Sequence, residues 1–160
     1  GAVELAVNLM KSGRGFTIVT DTNMALAGVN KAALKQLNGT VRCFMADPDV
    51  AAEAKERGVT RAIVSMERAA TLAGPVIFAI GNAPTALIRL YEMMQKGEIH
   101  PDFIIGTPVG FVNVVESKEL ICQSSVPCIV ARGRKGGSNI AAAVCNALMY
   151  QVTRTQKSGK

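Results

Sequence analysis

A run of glycine, basic and small polar residues near the C-terminus has the strongest chemical character in the sequence. It reads RGRKGGSN over residues 132–139, between a short apolar run and a long helical pattern. Glycines let backbone N–H groups approach a ligand closely, and the start of a helix favours negative charge. Because three cations stand beside that start, the spacing predicts a carboxylate or phosphate site. An ordinary glycine-rich turn with solvated basic side chains is the alternative.

Small and polar residues also follow three other apolar runs, in the segments 20–24, 80–85 and 106–111. Asn82 and Thr85 flank Pro84 at a predicted helix start, where capping would explain one of the two but not both. Arg61 begins another helix directly after Thr60. A lone cation there opposes the helix dipole unless an anion lies nearby, and an exposed arginine is the alternative interpretation.

The apolar runs predict five strands separated by helices. The strands are 16–20, 40–45, 76–80, 103–105 and 127–131. The helices are 2–12, 22–36 with a break at 28–30, 48–57, 60–73, 84–95, 112–122 and 138–152, the last capped by Ser138 or Asn139. Short strands that are apolar on both faces are typical of a parallel sheet covered on both sides.

The pattern therefore predicts an α/β fold, a single doubly wound domain of about five mainly parallel strands with helices on both faces. We expect the domain to span residues 1–152 and a polar C-terminal tail to span 153–160. Ligands of such folds bind beyond the carboxyl ends of the strands. His100 precedes a strand and is therefore expected at the opposite edge.

The composition excludes several classes of protein. With 49% hydrophobic and 19% charged residues, the chain is not predominantly disordered. Aromatic residues make up 4% and tryptophan is absent, which disfavours a stacking platform for single-stranded nucleic acid. The formal charge of +6 indicates an anionic partner or a mildly basic, solvated surface. The sequence has neither a P-loop nor a dinucleotide fingerprint, which disfavours an ATP or nicotinamide enzyme.

The four cysteines lie in apolar runs and form no C-x-x-C pair, and the chain has one histidine. This disfavours a zinc site and predicts buried free thiols. Free thiols indicate a reducing, cytoplasmic compartment. No apolar run reaches transmembrane length and no signal peptide is visible. The chain begins with Gly1 rather than Met, from which we expect an N-terminal truncation.

Taken together, five motifs resemble those of the precorrin-8X methylmutase family of cobalamin biosynthesis. They are TDTNMA (20–25), GVTRA (58–62), GNAPTAL (81–87), PVGFV (108–112) with ESK (116–118), and GRKGGSN (133–139). The resemblance extends from residue 1 to about residue 150. The residues of the last motif and of ADP (46–48) are more similar to those of the anaerobic branch of the family, in which the substrate carries cobalt.

The resemblance implies an isomerase that moves a methyl group from C11 to C12 of precorrin-8 or cobalt-precorrin-8. The product would be hydrogenobyrinic acid or its cobalt counterpart, cobyrinic acid. It also implies a homodimer with its active site at the subunit interface and no metal or organic cofactor. The partners would be the tetrapyrrole (corrinoid) substrate and product, with no nucleic acid and no membrane.

The resemblance assigns no catalytic residue to this chain, because the family's acid/base histidine lies in a motif upstream of Gly1 and His100 does not align with it. Arg61 matches a family arginine expected near the ring and is the leading substrate-binding residue. The other candidates, chosen for their positions at strand and helix ends, are Asp21, Met24, Thr60, Asn82, Thr85, Arg134 and Lys135. For Met24, filling the core is the alternative role.

Two other functions remain open from the sequence. A non-catalytic corrinoid-binding or carrier protein would share every motif and lack only the catalytic histidine. A basic nucleotide- or nucleic-acid-binding α/β module would explain the charge, and it predicts salt-sensitive binding to DNA or RNA.

Overall fold

The computed structural model describes residues 1–159 and contains one sheet of five parallel strands. The strands are β1 Phe16–Thr20, β2 Gly39–Cys43, β3 Val76–Ile80, β4 Phe103–Gly106 and β5 Cys128–Val130. Their order across the sheet is β2-β1-β3-β4-β5. The chain therefore winds outward from β1 in one direction and from β3 in the other, and the switch point lies between these two strands. The doubly wound α/β prediction is confirmed.

Eight helices cover the sheet in the described part of the chain. They are α1 Ala2–Lys11, α2 Asn23–Gly28, α3 Lys31–Gln36, α4 Pro48–Arg57, α5 Arg61–Ala69, α6 Pro84–Gln95, α7 Val114–Gln123 and α8 Ser138–Ser158. None of these helices in residues 1–159 is both long and apolar enough to cross a membrane.

The central strands bury both of their faces, and successive side chains enter two separate apolar clusters. Ile77 packs with residues of α1, α3 and α8 on one face. Phe78, its neighbour in β3, packs with residues of α4, α5, α6 and α7 on the other. All five side chains of β3 are buried, which explains why the strand is a continuous apolar run rather than an alternating one.

Several helix ends differ from the predicted ones. The predicted break at 28–30 is confirmed, because the side chain of Asn30 caps α3 by accepting a hydrogen bond from the N–H of Ala33 at 3.0 Å. Helix α5 ends at Ala69 rather than 73, since the next N–H groups bond three residues back, as at Thr71 to Arg68. Neither Ser138 nor Asn139 caps α8, whose cap residue is Gly137, so that prediction is wrong.

The segment 153–158, predicted as part of a polar tail, belongs to α8. Val152 and Thr153 are buried, so the helix still packs on the domain at that point. Beyond them the guanidinium of Arg154 lies over the ring of Tyr150, 4.7 Å from its centroid, which is within cation–π distance. The face of α8 that packs on the domain therefore extends past the part of the sequence that is rich in apolar residues.

The four cysteines are free thiols, but only Cys145 is fully buried. Burial raises the pKa of the Cys145 thiol to about 12. Cys43, Cys122 and Cys128 are half-buried, so the prediction that all four lie in the core is wrong for these three. Cys43 and Cys128 lie in β2 and β5, the two edge strands, each of which has a neighbouring strand on one side only, and Cys122 lies near the end of α7.

A chain of ion pairs joins α4, α5 and α6 on the outside of the domain. Glu67 of α5 is at its centre, with its carboxylate oxygens 2.5 and 3.1 Å from the Arg57 guanidinium and 3.0 Å from Nε of Arg89. Arg57 also pairs with Glu53, and Arg68 pairs with Glu53 and Asp49. Three arginines are therefore neutralised on this side of the molecule.

We expect the Glu67→Gln substitution to lower the free energy of unfolding by about 1–2 kcal/mol, because it weakens charge-assisted bonds to two arginines. The pKa of Glu67 is lowered, mainly by its bond to Arg57 and against the effect of burial. Its contribution is thus fully present above its ordinary value of 4.5 and is lost as the pH falls through the lower folded value. Urea denaturation at pH 7 and at pH 3 measures both effects.

The matched control is Glu56→Gln, which removes the same charge from an exposed position on α4. It should change stability at pH 7 by no more than about 0.5 kcal/mol. Equal losses in the two variants would show that the ion pairs of Glu67 contribute nothing.

Candidate functional site

The carboxyl ends of β1 and β3 are joined by the side chain of Asp21. Its Oδ1 accepts a hydrogen bond from the N–H of Gly81 at 2.8 Å. Its Oδ2 accepts from the N–H groups of Asn82 at 2.9 Å and Ala83 at 2.6 Å. The carboxylate thus fixes the β3–α6 loop at the topological switch point, where ligands of doubly wound folds bind.

Asp21 also takes the place of the expected cap of α6. The cap residue is Ala83, which has no side chain able to cap, and neither Asn82 nor Thr85 provides the bond. A buried carboxylate from another strand satisfies the N–H groups instead, where negative charge is favoured. Burial raises the pKa of the Asp21 carboxyl, and the three backbone N–H groups act in the opposite direction.

The run 132–137, here called the basic turn, interlocks with the loop that follows β4. The N–H of Gly137 donates to the carbonyl of Thr107 at 2.8 Å, and the N–H of Gly110 donates to the carbonyl of Arg134 at 3.3 Å. A Cβ atom at Gly136 would collide with the carbonyl oxygen of Thr107. Only glycine therefore allows the two backbones to lie this close.

The start of α8 is tied to the ends of β1 and β3 in the same way. The hydroxyls of Thr22 and Ser138 are 2.7 Å apart. A Cβ atom at Gly81 would lie 2.6 Å from the Cα of Ser138. The loops after β1, β3, β4 and β5 are consequently one connected backbone surface, hereafter the carboxyl edge.

Lys118 of α7 lies beneath the basic turn. Its side chain is fully buried. Its ammonium donates to the carbonyl oxygens of Gly133 at 2.7 Å and Lys135 at 2.9 Å, and burial lowers its pKa. Sequence reasoning included this residue in a motif but assigned it no role, because its contacts join segments 15 and 17 residues apart.

Three of the predicted cations are exposed at or near the carboxyl edge. Arg134 and Lys135 project from the basic turn. Arg61 begins α5. The Ser65 hydroxyl of this helix lies 3.3 Å from Sδ of Met45, in the segment after β2, and also donates to the carbonyl of Arg61 at 2.7 Å. None of the three belongs to an ion pair among residues 1–159.

The remaining predicted site residues have different surroundings. Thr60 is exposed and caps α5 by accepting from the N–H of Ile63 at 3.3 Å. Asn82 is exposed and Thr85 is half-buried in the first turn of α6. Asp21 is fully buried, so any effect it has on a ligand passes through the loop that it holds.

Large apolar side chains are exposed at the same edge, and of these the sequence analysis had named only Met24 as a site candidate. Met24 is 71% exposed, so the alternative of a core role for it is wrong. Phe111 is 84% and Val112 77% exposed in the loop after β4. Val109 and Ile140 are 45% and 40% exposed. Large apolar side chains that are exposed in the loops and helix starts of one edge indicate a binding site or an interface.

His100 lies at the amino edge, as expected from its position before β4. It is exposed and lines shallow clefts with Ile99 and Pro101. These clefts contain none of the exposed cations of the carboxyl edge. The arrangement can therefore bind and orient an anionic, partly apolar molecule at one edge, while the histidine is at the other.

The comparison with known proteins agrees with the motifs that shape this edge. The family model described as Precorrin-8X methylmutase matches residues 1–151. The chain belongs to the precorrin-8X methylmutase family.

Curated members of the family are similar over most of the chain. The cobalt-precorrin-8 methylmutase of Priestia megaterium is 42% identical over 147 residues, which are 92% of this chain and 64% of that protein. The precorrin-8X methylmutase of Pseudomonas aeruginosa is 44% identical over 137 residues, covering 84% of this chain and 65% of that one. The chain thus spans slightly less than two thirds of the length of these two relatives.

A solved structure of the family has the same fold. The precorrin-8x methyl mutase of Thermus thermophilus matches with a TM-score of 0.84 and 35% identity, covering 97% of this chain and 75% of that chain. The methylmutase fold therefore includes the sheet, its switch point and the loops of the carboxyl edge.

In this methylmutase fold, the Asp21→Asn substitution should lower the free energy of unfolding by about 2–3 kcal/mol. An amide keeps the shape but can present only one oxygen to the three N–H donors, and the bonds lose their charge. Urea denaturation provides the measurement.

Asp47→Asn is the control, since Asp47 precedes α4 at the same edge and its side chain makes no capping bond. A loss after Asp21→Asn no larger than that after Asp47→Asn would contradict the role given to Asp21.

Proposed function

We propose that this chain provides the fold and substrate-binding surface of a methylmutase, an isomerase that moves a methyl group from C11 to C12 of precorrin-8, with or without cobalt. The product is hydrogenobyrinic acid or cobyrinic acid. The observation that carries the proposal is that one edge of the sheet combines exposed cations with exposed apolar side chains in a chain of this family. Family membership disfavours the nucleic-acid-binding alternative.

The chemistry of the edge suits a tetrapyrrole with several carboxylates. Met24, Phe111 and Val112 offer an apolar surface to the flat ring. Arg134 and Lys135 offer charge to carboxylates at its rim. The arginines of the α4–α6 side are already paired with glutamates, whereas Arg134 and Lys135 belong to no ion pair of residues 1–159. Arg61, which is also unpaired there, adds a cation toward β2.

Thr60, Asn82 and Thr85 are proposed as neutral polar contacts of the same ligand. Asn82 and Thr85 lie at the start of α6, directly after β3, and Thr60 lies at the start of α5, which follows α4. Asp21 is proposed to act through the β3–α6 loop, which it holds with three hydrogen bonds. Because these bonds lie within the protein, they favour a preformed loop that needs little reorganisation on binding.

Methyl migration within one molecule requires that the ring be held in a reactive geometry and that water be excluded. The rigid edge supplies the first condition. In the family's reaction, a proton donor shifts the conjugation of the ring and so allows the methyl group to migrate. His100 faces the opposite edge, and we assign that step to no residue in 1–160.

We further propose a homodimer with the site at its interface, in the cytoplasm. The apolar surface of Met24, Phe111 and Val112 is open to solvent in one chain. A second subunit over this edge would cover it and would exclude water from the ring. The free thiols are compatible with a reducing compartment.

A non-catalytic corrinoid carrier is the second candidate, favoured by the position of the single histidine at the amino edge. It requires the same binding surface and the same cations. The two candidates differ in turnover and agree on the ligand, so binding is tested first.

We expect an absorbance titration of this chain with cobyrinic acid, and with hydrogenobyrinic acid, to shift the corrin spectrum and saturate. The apolar edge would remove one face of the ring from water and change its absorption. Absence of any shift with a folded sample would contradict the proposal. Incubation with precorrin-8, with the product followed by its spectrum, then separates the methylmutase from the carrier.

Replacing Arg61 with alanine should raise the dissociation constant for cobyrinic acid about fivefold to tenfold, the effect of losing one partly exposed ion pair. Arg61→Lys should recover part of the loss, because the charge remains but the planar fork is lost. The control is Arg14→Ala, which removes an exposed arginine just before β1 at the opposite edge. Unchanged affinity after Arg61→Ala would exclude Arg61 from the site.

A further inference from the structure

The ammonium of Lys118 is buried without a carboxylate partner in the described residues. It donates to two carbonyl oxygens, those of Gly133 and Lys135. Burying an ammonium in this way costs free energy that an apolar side chain of similar length would not cost. Its pKa is lowered for the same reason. Filling space therefore does not explain a lysine here.

The effect of Lys118 is on the backbone of the basic turn. The carbonyls of Gly133 and Lys135 point inward to its ammonium. The intervening carbonyl, that of Arg134, accepts from the N–H of Gly110. Three successive carbonyl oxygens, which would repel an anion, are thus engaged by the protein, while the side chains of Arg134 and Lys135 remain exposed.

We propose that Lys118 is the positioning residue of the carboxylate site, holding the basic turn so that Arg134 and Lys135 meet a carboxylate of the corrinoid. Its own charge, just below the turn, also makes the potential at the site more positive. The identity of the ligand rests on the proposed function. The role of Lys118 in shaping the turn does not depend on that function.

The first test uses the ligand-free chain and follows amide hydrogen exchange in the Lys118→Met variant. The N–H groups of Gly110 and Gly137 are the reporters, because both bond across the basic turn. Lys118→Met should speed their exchange at least about tenfold. Lys96→Met, which removes the same charge from an exposed position at the end of α6, should leave it unchanged.

The second test is a double-mutant cycle on cobyrinic acid binding. Lys118→Met should weaken binding about tenfold in the otherwise unchanged chain. In an Arg134→Ala, Lys135→Ala background the same change should weaken it less than about twofold, since the groups it positions are gone. A purely structural role would give equal factors in both backgrounds and would overturn the proposal.

If the Lys118→Met variant does not fold, the Lys118→Gln variant replaces it in both tests, because an amide keeps a donor for the carbonyls without the charge. Failure of the unchanged chain to bind cobyrinic acid would count against the proposed function alone. The hydrogen-exchange measurement then tests whether Lys118 holds the basic turn. Unchanged exchange at Gly110 and Gly137 would overturn the proposal.

Discussion

The carboxylate of Asp21 is the contact on which the geometry of the carboxyl edge depends. It lies at the switch point between β1 and β3 and binds three successive N–H groups of the β3–α6 loop. An unpaired carboxylate at that depth would be costly, and unpaired N–H groups there would be too. The carboxylate and the N–H groups satisfy each other only when the ends of β1 and β3 are aligned. One side chain therefore fixes both the β3–α6 loop and the start of α6.

Close backbone contacts extend this constraint to the rest of the edge. Gly81 lies against Ser138, and Gly136 lies against Thr107. Lys118 adds two bonds to the basic turn from below. Four strand ends are thereby joined into one surface, from which the side chain of Phe111 is exposed.

The arginines of the α4–α6 side and the cations of the basic turn differ in their pairing. On α4, α5 and α6 the arginines Arg57, Arg68 and Arg89 are paired with acidic residues. At the carboxyl edge Arg134 and Lys135 are exposed and belong to none of the ion pairs of residues 1–159. A ligand with several carboxylates would therefore meet unpaired cations at this edge.

The sequence alone determined the elements, because their signals are local. The continuous apolar run of β3 indicates a doubly covered strand, and the glycine at 58 ends α4 in the left-handed conformation. The motifs also placed the basic turn at the carboxyl edge. Only the tertiary structure showed that Asp21, not Asn82 or Thr85, satisfies the start of α6, and that Lys118 supports the basic turn. These contacts join residues at least 15 positions apart, and one sequence carries no local signal for such pairings. For a related reason the sequence left two roles open for Met24 and did not predict the exposure of Phe111, since an apolar residue looks the same in sequence whether it fills the core or faces a ligand.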